Sequence, residues 1–259
     1  MGLLPDYSRQ ALGYDTTRGA SPSVLDRLRR ALADAPGSRL LDVGGGTGNY
    51  AVAAAGEGWQ PTVLDCSPAM LDQARAKGLE TIIGDAQQLP FADASFDAVT
   101  LISMLHHVES PQAALAEACR VLVAGGRLAA VVFTREDIAE AWCLEYFPSS
   151  RPWMEETHPP VAELLVGLDG AALLSVEYHD VIDGSLAAMM CRPELILEAH
   201  RRSQTSFFER MERDHPEELG AGLERLAREL QAGDGPDRPG RATVIAWGKP
   251  RWSAAEHTE

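Results

Sequence analysis

The sequence predicts an α/β fold: a mostly parallel sheet of seven strands with helices on both faces. Three observations carry it. Short apolar runs at 39–43, 61–65, 79–83, 96–102 and 126–133 alternate with helical stretches or loops, the pattern of βαβ units. Two later runs, 172–181 and 241–248 ("RATVIAWG"), complete the set of strands. The first run passes into four glycines within the five positions 44–48 and then into helix, a strand–turn–helix junction.

The elements follow in order. Ser21-Pro22 opens the first clear helix, with serine as N-cap and proline at the first helical position. Val24, Leu25, Leu28 and Leu32 form its buried stripe, and Pro36-Gly37 stops it. Ser67-Pro68 opens another helix in the same way. Leu115, Ala118, Cys119 and Leu122 then fall on one helix face, which makes Cys119 a core residue. Residues 135–167 mix aromatics, prolines and acids and read as a lid. Leu219, Leu223, Leu226 and Leu230 keep helical spacing within an insertion at about 185–232, and "AGDGPDRPG" is a loop. The expectation is one domain over 1–259, its core at about 20–134 and 168–248, with a frayed tail after Trp252.

Bulk properties narrow the function. The chain has 259 residues, 45% of them hydrophobic, which suits one large domain with elaborations. Its net charge of −15, from 23 basic and 38 acidic residues, repels phosphate backbones and anionic membranes, so neither nucleic acid nor membrane is expected as a partner. "MGLLPDYSRQ" has neither the basic start nor the apolar segment of a targeting signal, and no apolar run approaches a membrane span. The expected compartment is cytoplasmic. Cys66, Cys119, Cys143 and Cys191 show no C-x-x-C spacing, and free thiols rather than metal ligands are expected.

The glycine turn asks for a ligand, because a parallel sheet binds at the carboxyl ends of its strands. In "LLDVGGGTGNYA" (40–51), Gly44 and Gly46 fit the dinucleotide spacing G-x-G-x-x-G, but its sixth position is Asn49 and the last glycine comes early, at Gly48. Asp42 places a carboxylate beside the turn, which repels a pyrophosphate and welcomes an ammonium. Asp65 ends the second run, 21 residues after Gly44, where an acid can grip two ribose hydroxyls. The implied ligand has a ribose and a cation and no pyrophosphate. S-adenosylmethionine (SAM) fits that description.

At these motifs the chain resembles the class I SAM-dependent methyltransferases, especially the small-molecule branch, over roughly residues 14–133 and more loosely to about 248. "LLDVGGGTGNYA", "VLDCSPAML" (63–71), "GDAQQLPFADASFDAVTLISMLHHV" (84–108) and "VLVAGGRLAAVVF" (121–133) look like that family's successive motifs. The resemblance implies a Rossmann-like fold. It puts Asp65 on the ribose and Met70 beside the adenine. Asp85 would accept the adenine amino group, and the Ala86 N–H would meet a ring nitrogen. Ser103, closing the fourth run, joins the cofactor set. Upstream, "YDTTRG" (14–19) is similar to an element in which Tyr14 and Arg18 close over the methionine end, Arg18 pairing with its carboxylate.

Methyl transfer needs a nucleophile held close to the methyl carbon, and a hydroxyl nucleophile needs a base. His106 and His107 follow the fourth strand and are the candidate catalytic residues. The aromatic segment 135–158 supplies the expected acceptor site, with Trp142, Tyr146 and Trp153 as a lid and helices from 193 to 231 completing the wall. The expected reaction is methyl transfer from SAM to an oxygen or nitrogen of a small molecule, in secondary metabolism, with S-adenosylhomocysteine as product and no metal. Two rivals remain. One is a SAM-binding protein of the same fold that catalyses a non-methylating cyclisation or binds a partner. The other is an NAD-dependent oxidoreductase, which Asn49 and Asp42 argue against.

Overall fold

The computed structural model describes residues 14–250. The targeting signal read as absent at residues 1–10 and the frayed tail after Trp252 lie outside them. Seven strands form one sheet in the order β3-β2-β1-β4-β5-β7-β6, with helices on both faces. The strands are β1 (Arg39–Val43), β2 (Gln60–Asp65), β3 (Glu80–Ile83), β4 (Phe96–Ile102), β5 (Leu122–Val132), β6 (Ala172–Glu177) and β7 (Arg241–Gly248). The pairings of β1 with β2 and β4, of β2 with β3 and of β4 with β5 are all parallel. The chain runs outward from β1 to β3 and returns to β4 on the other side of β1. The carboxyl ends of β1 and β4 therefore flank a topological switch point, where sheets of this kind open a crevice.

The early helices are α1 (Pro22–Leu32), α2 (Asn49–Gly56), α3 (Pro68–Ala76) and α4 (Pro111–Val121). Ser67 caps α3 and Ser110 caps α4, each with Pro at the first position. Two expectations need correction. Leu122 belongs to β5 rather than to the face of α4, because the chain turns extended there and pairs with Phe96 across a register shift. The run at 172–181 is strand only to Glu177. Beyond it the Tyr178 N–H still bonds the Gly240 carbonyl beside β7, but then side chains take the donors: His179 N–H bonds Ser23 Oγ, and Ile182 N–H bonds the Asp180 carboxylate.

The chain divides into two compact units. One comprises Arg27–Val132, Ala162–Leu174 and residues 244–250. Its core joins Leu41, Leu101, Leu115, Leu128 and Trp247, all buried, and half-buried Cys119 packs against it as expected. The other gathers residues 14–26, Phe133–Val161 and Ser175–Thr243, so lid and helical insertion fall in one unit together with the N-terminal segment. Its helices are α5 (Arg135–Ala139), α6 (Arg151–Thr157), α7 (Val161–Leu164, at the unit boundary), α8 (Leu186–Met189), α9 (Ala199–Arg202), α10 (Ser206–Asp214) and α11 (Pro216–Ala232). Edge-to-face contacts among Phe147, Phe207 and Phe208 hold it together. Among the described residues no helix is long and apolar enough to cross a membrane.

Candidate functional site

The glycine turn sits at the carboxyl end of β1 and is pinned to β2, because the N–H groups of Gly44 and Gly45 both bond the Leu64 carbonyl, at 2.7 and 3.2 Å. Gly44, Gly46 and Gly48 take φ of 66°, 56° and 78°, the left-handed region that side chains disfavour. Gly45 is glycine for a different reason. A Cβ there would lie 2.5 Å from Asp42 Oδ2. At Gly46 a Cβ would meet nothing within 4 Å, so the space over that residue is open to a ligand.

Two carboxylates meet this turn. Asp42 is 2% exposed and accepts the Thr100 hydroxyl at 2.8 Å. Burial pushes its carboxyl up to about 7, the Thr100 bond pulling the other way and the nearby Asp65 adding to the rise. Asp65 divides its oxygens: Oδ2 accepts the Gly46 N–H at 2.9 Å and Oδ1 the Ser67 N–H at 2.8 Å. Burial raises its carboxyl as well, with these backbone bonds opposing the shift. A carboxylate has about four acceptor positions, and with the Gly46, Ser67 and Cys66 N–H groups on it Asp65 keeps capacity for a further donor. Paired ribose hydroxyls fit that acceptor, and an ammonium or sulfonium fits a turn with Asp42 and Asp65 beneath it. A pyrophosphate fits neither.

Around this centre, Met70 is buried in α3, its N–H bonding the Ser67 cap at 3.4 Å. Asp85 is exposed and folds its carboxylate onto the Gln87 N–H at 2.8 Å, the turn-forming role open to an aspartate after Gly84. Ala86 beside it is buried. Ile83, paired in register with Asp65, is 58% exposed at the end of β3, an apolar surface that the sequence reading did not single out. Ser103 closes β4 with φ 52°, uncommon for a residue with a side chain, and its N–H bonds the Val131 carbonyl at 2.9 Å. The chain then enters a 3-10 turn, Leu105–His107, in which the rings of His106 and His107 stand 3.8 Å apart at 49°. Met104 packs where a Gly44 Cβ would go, so the histidine turn and the glycine turn touch. Among the described residues no group of three or more His, Cys, Asp or Glu could hold a metal.

The remaining candidates lie in the other unit. Arg18 stacks over the Tyr14 ring at 5.5 Å, pairs with Asp183 at 3.1 Å and donates to the Gln204 carbonyl at 3.1 Å, so in this structure its carboxylate partner is internal. Trp142 is 2% exposed and donates its indole N–H to the carbonyls of Met190 and Arg238. Tyr146 is buried, packs edge-on to Trp142 and donates its hydroxyl to Glu229, with Arg225 over its ring at 4.6 Å. Here the structure departs from the lid expected of them: both rings are committed to the packing of their own unit. Trp153, the third member, packs against Phe207 and under Arg210. Thr100 and Lys77 escaped the sequence reading. A buried threonine in an apolar strand was the available signal for Thr100, and Lys77 gave none.

Residues 41–130 match a methyltransferase domain family. The chain is 39% identical to a demethylmenaquinone methyltransferase of Beutenbergia cavernae, over 51% of this chain and 57% of the relative. It is 42% identical to a ubiquinone/menaquinone biosynthesis C-methyltransferase of a Ruegeria species, over 42% of this chain and 48% of the relative. The chain thus spans about half the length of the curated relatives it matches. A solved structure of a candidate methyltransferase from an antibiotic biosynthesis pathway of Anabaena variabilis superimposes with a TM-score of 0.72 at 25% identity, covering 88% of this chain and 98% of that one.

Proposed function

We propose that this chain, whose residues 41–130 match a methyltransferase domain, transfers the methyl group of SAM to a small-molecule acceptor and releases S-adenosylhomocysteine. The single observation that carries the cofactor is Asp65 at the end of β2, tied to the Gly46 N–H beneath open space. SAM seated there would supply an electrophilic methyl on a cationic sulfur. Asp65 would hold the ribose hydroxyls, the buried Asp42 carboxyl, bonded to Thr100, would brace the turn from beneath, and Met70, Asp85, Ala86 and the exposed Ile83 would frame the adenine. The strained backbone at Ser103 turns the chain so that His106 and His107 follow the end of β4.

The acceptor reading moves with the relatives. Oxygen or nitrogen is the sequence expectation; the quinone methyltransferase relatives include one named for carbon, while another relative is a malonyl-acyl-carrier-protein O-methyltransferase. A ring bearing an acidic hydroxyl reconciles the two, because removal of its proton makes both the oxygen and the adjacent ring carbon nucleophilic. His106 or His107 is the base for that proton, and proximity supplies much of the remaining acceleration. The four free cysteines suit a reducing cytoplasm.

The test is incubation of the purified chain with methyl-labelled SAM and a reduced, demethylated quinone, and separately with a small-molecule extract of the host. Label on a ring carbon supports the quinone-type acceptor. Label on another metabolite keeps the methyltransferase and replaces the acceptor. SAM bound without any label in either sample favours a non-methylating role. Loss of label in His106→Ala or His107→Ala, with SAM binding retained, identifies the base.

A further inference from the structure

We propose that Lys77 is a positioning residue for the glycine turn, its ammonium holding the turn in the shape that receives the cofactor. Lys77 directly follows α3, and its Nζ donates to the Thr47 carbonyl at 2.9 Å and to the Asn49 side-chain oxygen at 2.6 Å. Neither acceptor is a carboxylate, so this is a cation bridging the last residues of the turn to the first residue of α2. Charge-assisted bonds of this kind are the stronger ones. Thr47 is buried, and the peptide joining it to Gly48 is held at both edges, by Lys77 at its carbonyl and by the Gly45 carbonyl at the Gly48 N–H, 2.9 Å away.

The rest of the corner works in the same direction. Gly78, at φ 82°, turns the chain immediately after Lys77 and brings Leu79 against the place where a Gly48 Cβ would stand. Ahead of α3, Asp65 grips the Gly46 side of the turn, and the Ser67 N–H at the helix N-cap holds the other oxygen of that carboxylate. The segments flanking α3 therefore hold both halves of the turn, by the Asp65 carboxylate at the end of β2 and by the Lys77 ammonium just past the helix. Asn49, which breaks the dinucleotide spacing, supplies the lysine with its second acceptor.

The inference rests on the turn being the cofactor site, so its test carries one readout that needs no cofactor. Hydrogen exchange in residues 44–50 of the ligand-free protein and titration with SAM and S-adenosylhomocysteine are measured for wild type, Lys77→Met, Lys77→Arg and Asn49→Ala. Lys77→Met should speed exchange in the turn, and weaken both ligands, about tenfold or more, as expected for loss of a charge-assisted bond. Asn49→Ala should do so to a lesser degree, and Lys77→Arg should recover most of the loss. A folded Lys77→Met and Asn49→Ala whose turn exchange and affinities stay within about twofold of wild type would overturn the role. Faster exchange in the Lys77→Met turn, in a chain whose wild type binds no SAM, would uphold the clamp and remove the cofactor reading instead.

Discussion

The Asp65 carboxylate accepts the Gly46 N–H at 2.9 Å, joining the end of β2 to the middle of the glycine turn. The same side chain holds the turn and offers acceptors beside the opening above it. Asp65→Ala should therefore weaken SAM by about 2–3 kcal/mol, from loss of bonds to a charged acceptor. Asp65→Asn should lose less. Calorimetric titration measures both, and equal affinity for wild type and Asp65→Ala would place the ribose elsewhere.

Two neighbouring glycines should differ in what a methyl group there disturbs. Gly45→Ala forces a methyl onto Asp42 and Val63, an overpacking that costs about 1–3 kcal/mol of stability. Gly46→Ala meets no neighbour and costs about 1–2 kcal/mol for its left-handed backbone, but it fills the space a ligand needs. Urea unfolding should show a lower midpoint for both, and SAM titration should show the larger loss of affinity in Gly46→Ala.

Asp42 makes stability depend on pH. Its folded carboxyl, at about 7, lies above the unfolded value near 3.9, so the folded state binds the extra proton between those limits. Its contribution is therefore largest below about pH 4, falls as pH rises toward 7 and is constant above it. Integrated over the shift this amounts to about 4 kcal/mol at most. The difference in unfolding free energy between wild type and Asp42→Asn, measured from pH 4 to pH 8, should show that slope. A difference independent of pH would remove the buried proton.

Trp142 and Tyr146 should behave as core residues. Trp142→Ala should cost about 3–5 kcal/mol, and Tyr146→Phe about 1–2 kcal/mol for the lost bond to Glu229. Thermal melts test this directly. A change in acceptor KM with an unchanged melting temperature would return these rings to the substrate.

What the sequence determined by itself was local. The apolar-rich runs at 39–43 and 96–102 coincide with β1 and β4, because a strand buried on both faces needs mostly apolar residues, and Asp42 and Thr100 within them satisfy each other by a hydrogen bond. The glycine turn and the acid at Asp65 were legible for the same reason: backbone conformation at a strand end is written within a few residues. The tertiary structure alone decided the partners. Thr100 reaches Asp42 from 58 positions away, Lys77 reaches Asn49 from 28, and the Trp142 indole finds carbonyls 48 and 96 positions on. Such pairings follow from strand register and helix packing, which bring distant segments together by burying apolar surface. The bonds then form between whichever polar groups that packing leaves facing each other, so Trp142 and Tyr146 bond inside their own unit.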